Sequence, residues 1–302
     1  MISIAMATYN GAKYIREQLD SILMQSIHDF ELVVCDDCST DETWSIIQEY
    51  ASKDVRIRTF RNEKNLGYRK NFEGLLKLCK GELVAFCDQD DIWKENHLQV
   101  LYDNIGDKAI CTANAEIIDG DGIKMGFKLD DYTGLRCFSE DALKKAYVLF
   151  YYFNPFPGCN TMFRRSFLEK AYPIKDERIK LHDAYACALA CVSGEDIKYV
   201  NDITMSYRFH RDSVTFNTKT RLRSPFRCMI RKLISAPTAR RNYVKDQVYY
   251  YKEMLNSDIK FTSEQERFLK QAYQYHSRRN TMYGRFLNFL FDIRHYRLIY
   301  MK

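Results

Sequence analysis

Over the first 115 positions, short apolar runs alternate with segments whose apolar residues fall at helical spacing. Ser3 to Ala7 reads as a strand that ends in the polar turn Thr8-Tyr9-Asn10-Gly11. Ile15, Leu19, Ile22 and Leu23 follow at spacings of four, three and one, one face of an amphipathic helix. Phe30 to Cys35 is a second strand, closed by the acids Asp36 and Asp37. Ser39 with Glu42 has the form of a capping box, and Trp44, Ile46, Ile47 and Tyr50 carry the next helix. Val55 to Phe60 predicts a third strand, and Asn65-Leu66-Gly67-Tyr68 a turn into a helix with Phe72, Leu75, Leu76 and Cys79. Leu83 to Cys87 is apolar throughout, as a strand buried on both faces would be, and three carboxylates follow at once in Asp88-Gln89-Asp90-Asp91. A helix from about Asn96 to Asn104 and a strand from Ala109 to Ala115 complete the alternation.

Strands alternating with helices in this way predict an α/β, doubly wound, Rossmann-like sheet with mostly parallel neighbours and flanking helices. In such sheets ligands bind beyond the carboxyl ends of the strands, so the acids after Cys35 and Cys87 are expected to face one crevice. Carboxylates crowded at one strand end repel one another, and a hard divalent ion carrying phosphate oxygens relieves that repulsion.

Beyond residue 116 the pattern loosens. Asp119-Gly120-Asp121-Gly122 predicts a hairpin turn, and Ser139 to Tyr152 a helix. Phe153 to Thr161 is a loop rich in Pro, Gly, Asn and aromatic residues, followed by apolar Met162-Phe163 and a short helix from Ser166 to Ala171. Ala184 to Cys191 is a helix of small residues, buried nearly all round, with His182 and Asp183 at its amino end. Ile197 to Asn201 and Met205 to Phe209 predict two late strands, and a polar loop starts at His210.

Charge divides the chain. Residues 219–302 hold 19 Lys/Arg against six Asp/Glu, leaving residues 1–218 with 27 basic and 34 acidic side chains. A boundary near 218 separates an acidic body, 1–218, from a basic, aromatic-rich helical extension, 219–302, with helices expected at Pro225–Ile234, Thr238–Leu255 and Ser263–Phe291. Arg221, Arg223, Arg227, Arg231 and Lys232 lie among Phe226, Met229, Ile230, Leu233 and Ile234, as in a helix that contacts a membrane surface. No nucleic-acid motif accompanies these charges. The ten Cys lack paired spacing, which suits reduced thiols in a cytosol, and the lone Cys35-x-x-Cys38 has no second pair for zinc. No basic-then-apolar leader opens the chain, so a cytoplasmic protein is expected, peripheral at most on the inner face of the plasma membrane.

Thr8-Tyr9-Asn10, Asp36-Asp37-Cys38-Ser39-Thr40-Asp41, Asn65-Leu66-Gly67 with Asn71, and Asp88-Gln89-Asp90-Asp91 together resemble inverting family-2 glycosyltransferases of GT-A fold. The Asp-Gln-Asp-Asp-Ile-Trp form, a later His-Asp, and Tyr207-Arg208-x-His210 are similar to bacterial rhamnosyltransferase-type members, which build O-antigen, capsule and related polysaccharides. The resemblance implies that Thr8, Tyr9, Asp37, Gly67, Arg69 and Asp88 bind a nucleoside diphosphate sugar, of the dTDP-rhamnose or UDP-hexose type. It implies that Asp90, Asp88 and His210 hold Mg2+ or Mn2+, and that Asp183 is the catalytic base. Trp93, Gly158, Cys159, Asn160 and His182 are candidates for the pocket of a glycan or lipid-linked glycan acceptor. His182 stands where the family usually has Glu, and it is the second candidate for the base.

Other classes fit less well. A dinucleotide enzyme would need G-x-G-x-x-G after the first strand, which is absent. An aspartyl-phosphate phosphatase would use Asp88 and Asp90 but expects Thr or Val where Ile92 stands. A non-catalytic scaffold docked to membrane by its tail would not need Asp37, Asp88, Asp90 and Asp183 intact.

Overall fold

The computed structural model describes residues 1–133, 157–210 and 248–277. Strands β1 (Ile2–Thr8), β2 (Phe30–Asp36), β3 (Ile57–Arg61) and β4 (Leu83–Cys87) alternate with helices α1 (Ile15–Leu23), α2 (Thr43–Ala51) and α3 (Tyr68–Leu78). β5 (Ile92–Trp93), α4 (His97–Ile105), β6 (Ile110–Asp119), β7 (Lys124–Lys128) and α5 (Leu129–Thr133) follow. After a 3-10 turn, Gly158–Asn160, come β8 (Thr161–Arg164), α6 (Arg165–Ala171), α7 (His182–Ser193), β9 (Ile197–Phe209) and α8 (Ser263–Ser277).

The sheet runs β3-β2-β1-β4-β8-β6-β9-β5, with β7 paired to β6. β1 pairs in parallel with β2 on one side and β4 on the other, and β2 with β3, so this half is the expected parallel sheet. The other half departs from that expectation. β8 lies antiparallel between β4 and β6, and β5 is antiparallel to β9. The two expected late strands are one continuous β9, parallel to β6 with register shifts near Asn114. The third strand begins at Ile57, because Val55 is almost fully exposed in the turn before it. The turn at 119–122 does join antiparallel β6 and β7.

Side chains alternate across the pleat and build two cores. Ile4, Met6, Leu32, Val34, Ala85 and Cys87 face α1, α2 and α4, whereas Ala5, Val33, Val84 and Phe86 face α3, α6 and α7. From Ala184 to Val192 every residue of α7 is buried, which explains its Ala and Cys content. The sheet covers one side of that core. On the other are Tyr250, Tyr251, Met254 and Leu269 from the helical stretch 248–255 and α8. Glu253 accepts hydrogen bonds from the backbone N–H groups of Lys175 (2.7 Å) and Asp176 (3.1 Å), and Tyr250 donates to the Leu181 carbonyl (3.2 Å).

The boundary near 218, the expected helices at 139–152 and 225–234, and the basic residues 221–232 lie outside the described residues, as does the part of the last helix beyond 277. Among the described residues no helix is long and apolar enough to cross a membrane.

Met254 is fully buried against α7. Met254→Ala should cost about 2–5 kcal/mol, the usual range for a large core truncation. Urea denaturation of the full chain would measure it, and an unchanged midpoint would mean that residues 248–277 are not part of the folding unit.

Candidate active site

Parallel pairing sets the carboxyl ends of β1, β2 and β4 side by side, and the loops leaving them are tied together. Thr8, buried, donates to Asp36 Oδ1 at 3.1 Å, and the Asp37 N–H donates to the Thr8 carbonyl at 2.8 Å. Asn10 adopts a left-handed conformation (φ 49°) that turns its amide oxygen onto the Thr40 N–H at 2.8 Å. Gln89 pairs with the Tyr9 peptide as a strand neighbour would. Its Oε1 accepts from Tyr9 N (2.9 Å) and its Nε2 donates to Tyr9 O (3.0 Å). A Cβ on Gly11 would overlap the Gln89 amide, so glycine is needed there for the clamp to close. Tyr9 itself remains 45% exposed at the mouth of the crevice.

The expected capping box does not form. Ser39 gives its hydroxyl and N–H to Asp36, and α2 is entered through Asp41, whose Oδ1 accepts from Thr43 N at 3.0 Å. Asp37, 2% exposed, accepts from Asn62 Nδ2 (2.8 Å), Leu66 N (2.9 Å) and Gly67 N (2.8 Å). Of about four lone-pair directions on a carboxylate, most are thereby used in shaping the Leu66-Gly67 turn. Gly67, at φ 82°, makes the turn into α3. Arg69 is buried and directed elsewhere, to Glu73 (3.3 Å) and the Ile174 carbonyl (2.9 Å).

At the end of β4 the structure gathers Asp88, Asp90, Asp91, Asp183, His210, Gly158 and Cys159. Burial, and then the charges of Asp90 and Asp183, push the Asp88 carboxyl up to about 7. Burial with Asp90 and Asp88 raises Asp91 well above the carboxylate range. Its Oδ1 accepts from Arg208 N at 2.9 Å, while Oδ2 is buried with no hydrogen-bond partner among the described residues. His210 Nε2 meets Asp90 Oδ2 at 2.6 Å, and its Nδ1 is likewise buried and unpartnered. Oxygen and imidazole donors, mutual repulsion and orphaned polar atoms together fit a divalent cation. Of the expected ligands, Asp90 and His210 pair directly, while the oxygens of Asp88 are grouped with Asp91.

Cys159 also lies within 4.8 Å of Asp88 and Asp91 oxygens. Burial and those two carboxylates push its thiol far up, so it stays S–H; a thiolate would in any case be a poor match to Mg2+ or Mn2+.

Asp183, in the first turn of α7, accepts the Gly158 N–H on Oδ2 at 3.0 Å. A Cβ at 158 would come within 2.9 Å of Asp183 Cβ, so this close approach requires glycine. His182 is packed against Phe72 (4.5 Å between ring centroids) and Phe86 (5.6 Å) and shares its Nδ1 with the Tyr172 hydroxyl at 2.9 Å. Burial lowers its pKa, so it is neutral at pH 7. Trp93 and Asn160 are buried beneath the crevice. The Trp93 ring stacks on His97 (4.3 Å), and Asn160 donates to the Ala113 carbonyl.

Sequence reasoning missed the Gln89 clamp, Asn62 and Gly11, and gave Asp91 and Arg208 no role. Gln89 and Arg208 stand inside motifs that could have flagged them; the Asn62 contact needs the folded chain.

Gly11→Ala should displace Gln89 from the Tyr9 peptide and cost about 1 kcal/mol or more in stability while leaving the fold intact, measured by urea denaturation and circular dichroism. Asp88 yields a pH effect of definite sign. Between the ordinary carboxylate range and pH 7 the folded chain keeps a proton that the unfolded chain has released, so stability falls as pH rises through that window. Asp88→Asn should therefore raise the melting temperature of the ligand-free protein by several degrees at pH 8 and hardly at all at pH 4.

The chain matches the family model described as glycosyl transferase family 2 over residues 3–171, more than half its length. EpsH of Bacillus subtilis (strain 168), named as a glycosyltransferase, is 27% identical over 222 residues, 70% of this chain and 62% of EpsH. WfaP of Escherichia coli, named as a UDP-Glc:alpha-D-GlcNAc-diphosphoundecaprenol beta-1,3-glucosyltransferase, is 39% identical over 93 residues, 31% of this chain and 36% of WfaP. The chain thus spans less than two thirds of the length of these curated relatives. Among solved structures, S. aureus TarS 1-349 in complex with UDP-GlcNAc superposes with a TM-score of 0.58 at 21% identity, covering 92% of this chain and 72% of that one. The mannosyltransferase PcManGT of Pyrobaculum calidifontis, in complex with GDP-Man and Mn2+, gives 0.60 at 18% identity, covering 91% and 69%. At such identities the likeness is one of fold, and the fold is GT-A. With the family match over residues 3–171, it follows that the chain belongs to glycosyl transferase family 2.

Proposed function

We propose that the protein is an inverting, metal-dependent glycosyltransferase that moves a sugar from a nucleoside diphosphate to a growing cell-surface polysaccharide. Donors of the dTDP-rhamnose or UDP-hexose type and a glycan or lipid-linked glycan acceptor, as in O-antigen or capsule, fit this reading. The observation that carries it is geometric: adjacent residues of one turn reach both groups, the Gly158 N–H on Asp183 at 3.0 Å and Cys159 within 4.8 Å of Asp88, so the acid loop and the proposed base are neighbours.

Thr8, Tyr9, Gly67 and Asp88 would line the nucleotide side, with the exposed Tyr9 ring available to stack on the base. Asp37 supports that side by holding the Leu66-Gly67 turn. A divalent ion held by Asp88, Asp90 and His210 would neutralise the diphosphate as the sugar–phosphate bond breaks. Asp183 takes the proton of the acceptor hydroxyl, whose oxygen displaces the nucleoside diphosphate in one in-line step, so no protein nucleophile is required. The Gly158 N–H fixes the orientation of that carboxylate. His182 is less suited to the base role, since Tyr172 occupies its Nδ1 and its ring is wedged between aromatic side chains. The basic extension, 219–302, would hold the enzyme at the cytoplasmic face of the membrane, near a lipid-linked acceptor.

A screen of nucleotide sugars for metal-dependent protection against thermal unfolding tests the donor side. Asp90→Asn should abolish that protection. Asp183→Asn should bind donor as the native chain does and lose at least about a hundredfold in turnover, the usual weight of a general base. Turnover at the native rate in Asp183→Asn would refute the base assignment.

A further inference from the structure

Arg208, from the Tyr207-Arg208-x-His210 segment, is 3% exposed, and every part of it is engaged near the acid loop. Its backbone N–H donates to Asp91 Oδ1 at 2.9 Å. Its Nε donates to the Asp90 carbonyl at 2.7 Å, and Nη1 to the Asp119 carbonyl at 3.4 Å. Nη2 pairs with Glu17 of α1 at 2.5 Å. The guanidinium carbon lies 4.8 Å from the centre of the Tyr14 ring, and that ring stacks on His210 at 4.9 Å between centroids. One side chain thus grips the backbone of Asp90 and backs the ring against which His210 rests.

The placement follows from the topology. β9 runs alongside β6 to its end, pairing Arg208 with Ile118 and Phe209 with Asp119, and the next residue, His210, meets Asp90. His210 follows the last residue of β9, so its position needs support from outside the sheet. Arg208 and Tyr14 provide it; Glu17 anchors Arg208 to α1, and Tyr14 stands immediately before that helix. A planar fork can meet several acceptors at once, which an ammonium on a flexible stem cannot.

We propose that Arg208 is a positioning residue for the cation site, holding Asp90 and His210 in mutual register so that both can act as ligands of one divalent ion. This rests on the metal-dependent reading given above. Two rival roles predict different results. A guanidinium that merely balanced the acids would repel the incoming cation, so its removal would tighten metal binding. A guanidinium that merely stabilised the fold would leave the affinity of the folded protein unchanged.

The test is titration of the full chain with Mn2+ alone, following free Mn2+ by electron paramagnetic resonance. Arg208→Lys keeps the charge and loses the fork; Arg208→Met loses both. Both variants should bind Mn2+ about 10-fold or more weakly, the usual effect of removing a group that orients a metal ligand. Unchanged or tighter Mn2+ binding in folded Arg208→Lys and Arg208→Met overturns the proposal. Glu17→Gln serves if those variants do not fold, because it changes only the outer partner, whose side chain is 59% exposed. It should weaken Mn2+ binding severalfold even in 0.5 M salt, where the charge of an exposed side chain is screened, and native affinity there overturns the proposal equally. A native chain that binds no Mn2+ refutes the metal reading itself, whereas native binding with unaffected variants refutes only the role of Arg208.

Discussion

Repulsion among acids that the fold forces together is the constraint on which this molecule depends. Asp88, Asp90 and Asp91 leave β4 within four residues, and Asp183 is delivered to the same place by α7. Burial makes the crowding more costly, since fewer water dipoles screen each charge. Without a ligand the chain manages this with what it has: a raised Asp88, a protonated Cys159, His210 against Asp90, and the Arg208 N–H on Asp91. The same arrangement leaves buried polar atoms without a hydrogen-bond partner among the described residues, Asp91 Oδ2 and His210 Nδ1.

Such a cluster would spread apart unless its backbone were fixed, and the neighbouring loops fix it. Gln89 is locked to the Tyr9 peptide, and Asn10 to the Asp36–Thr40 loop. Asp36 ties Thr8 to Ser39, while Asp37 ties β2 to the turn before α3. These contacts join residues roughly 30 to 80 positions apart, so this loop cluster forms only when the parallel half of the sheet is assembled. Acids that look interchangeable in the sequence have therefore taken on different work. Asp36, Asp37 and Asp41 hold loops, whereas Asp88 and Asp90 belong to the acid cluster at the end of β4.

How far this could be seen in the sequence depended on whether the signal was local. The parallel half was legible because β1, β2 and β4 are apolar runs followed by helical periodicity, and the acids fall at their ends. The helix with Asp183 at its start was legible from the small residues 184–191. The mixed half was not. β8 is four residues long and β5 two, too short for any period to register, and their antiparallel partners are distant in sequence. The interval within β9 at Asn201–Asp202 is exposed and polar, which makes one irregular strand look like two. Ser39-x-x-Glu42 matched a local capping pattern, but Asp36 outcompeted it for the hydroxyl. That Arg69 would turn to the Ile174 carbonyl could not be read from its own surroundings.

The antiparallel intrusion of β8 also explains how Gly158 and Cys159 come to meet the acid loop. Because β8 runs against β4, with Ala85 opposite Met162, the turn that precedes β8 lies at the carboxyl end of β4. Cys159 and Gly158 are thereby carried to Asp88 and Asp183. A parallel strand in that place would have put its preceding turn at the opposite end of the sheet. The acid loop thus lies on the seam between the parallel strands and their first antiparallel neighbour, and reversal of strand direction beside β4 is what brings the Gly158–Cys159 turn to it.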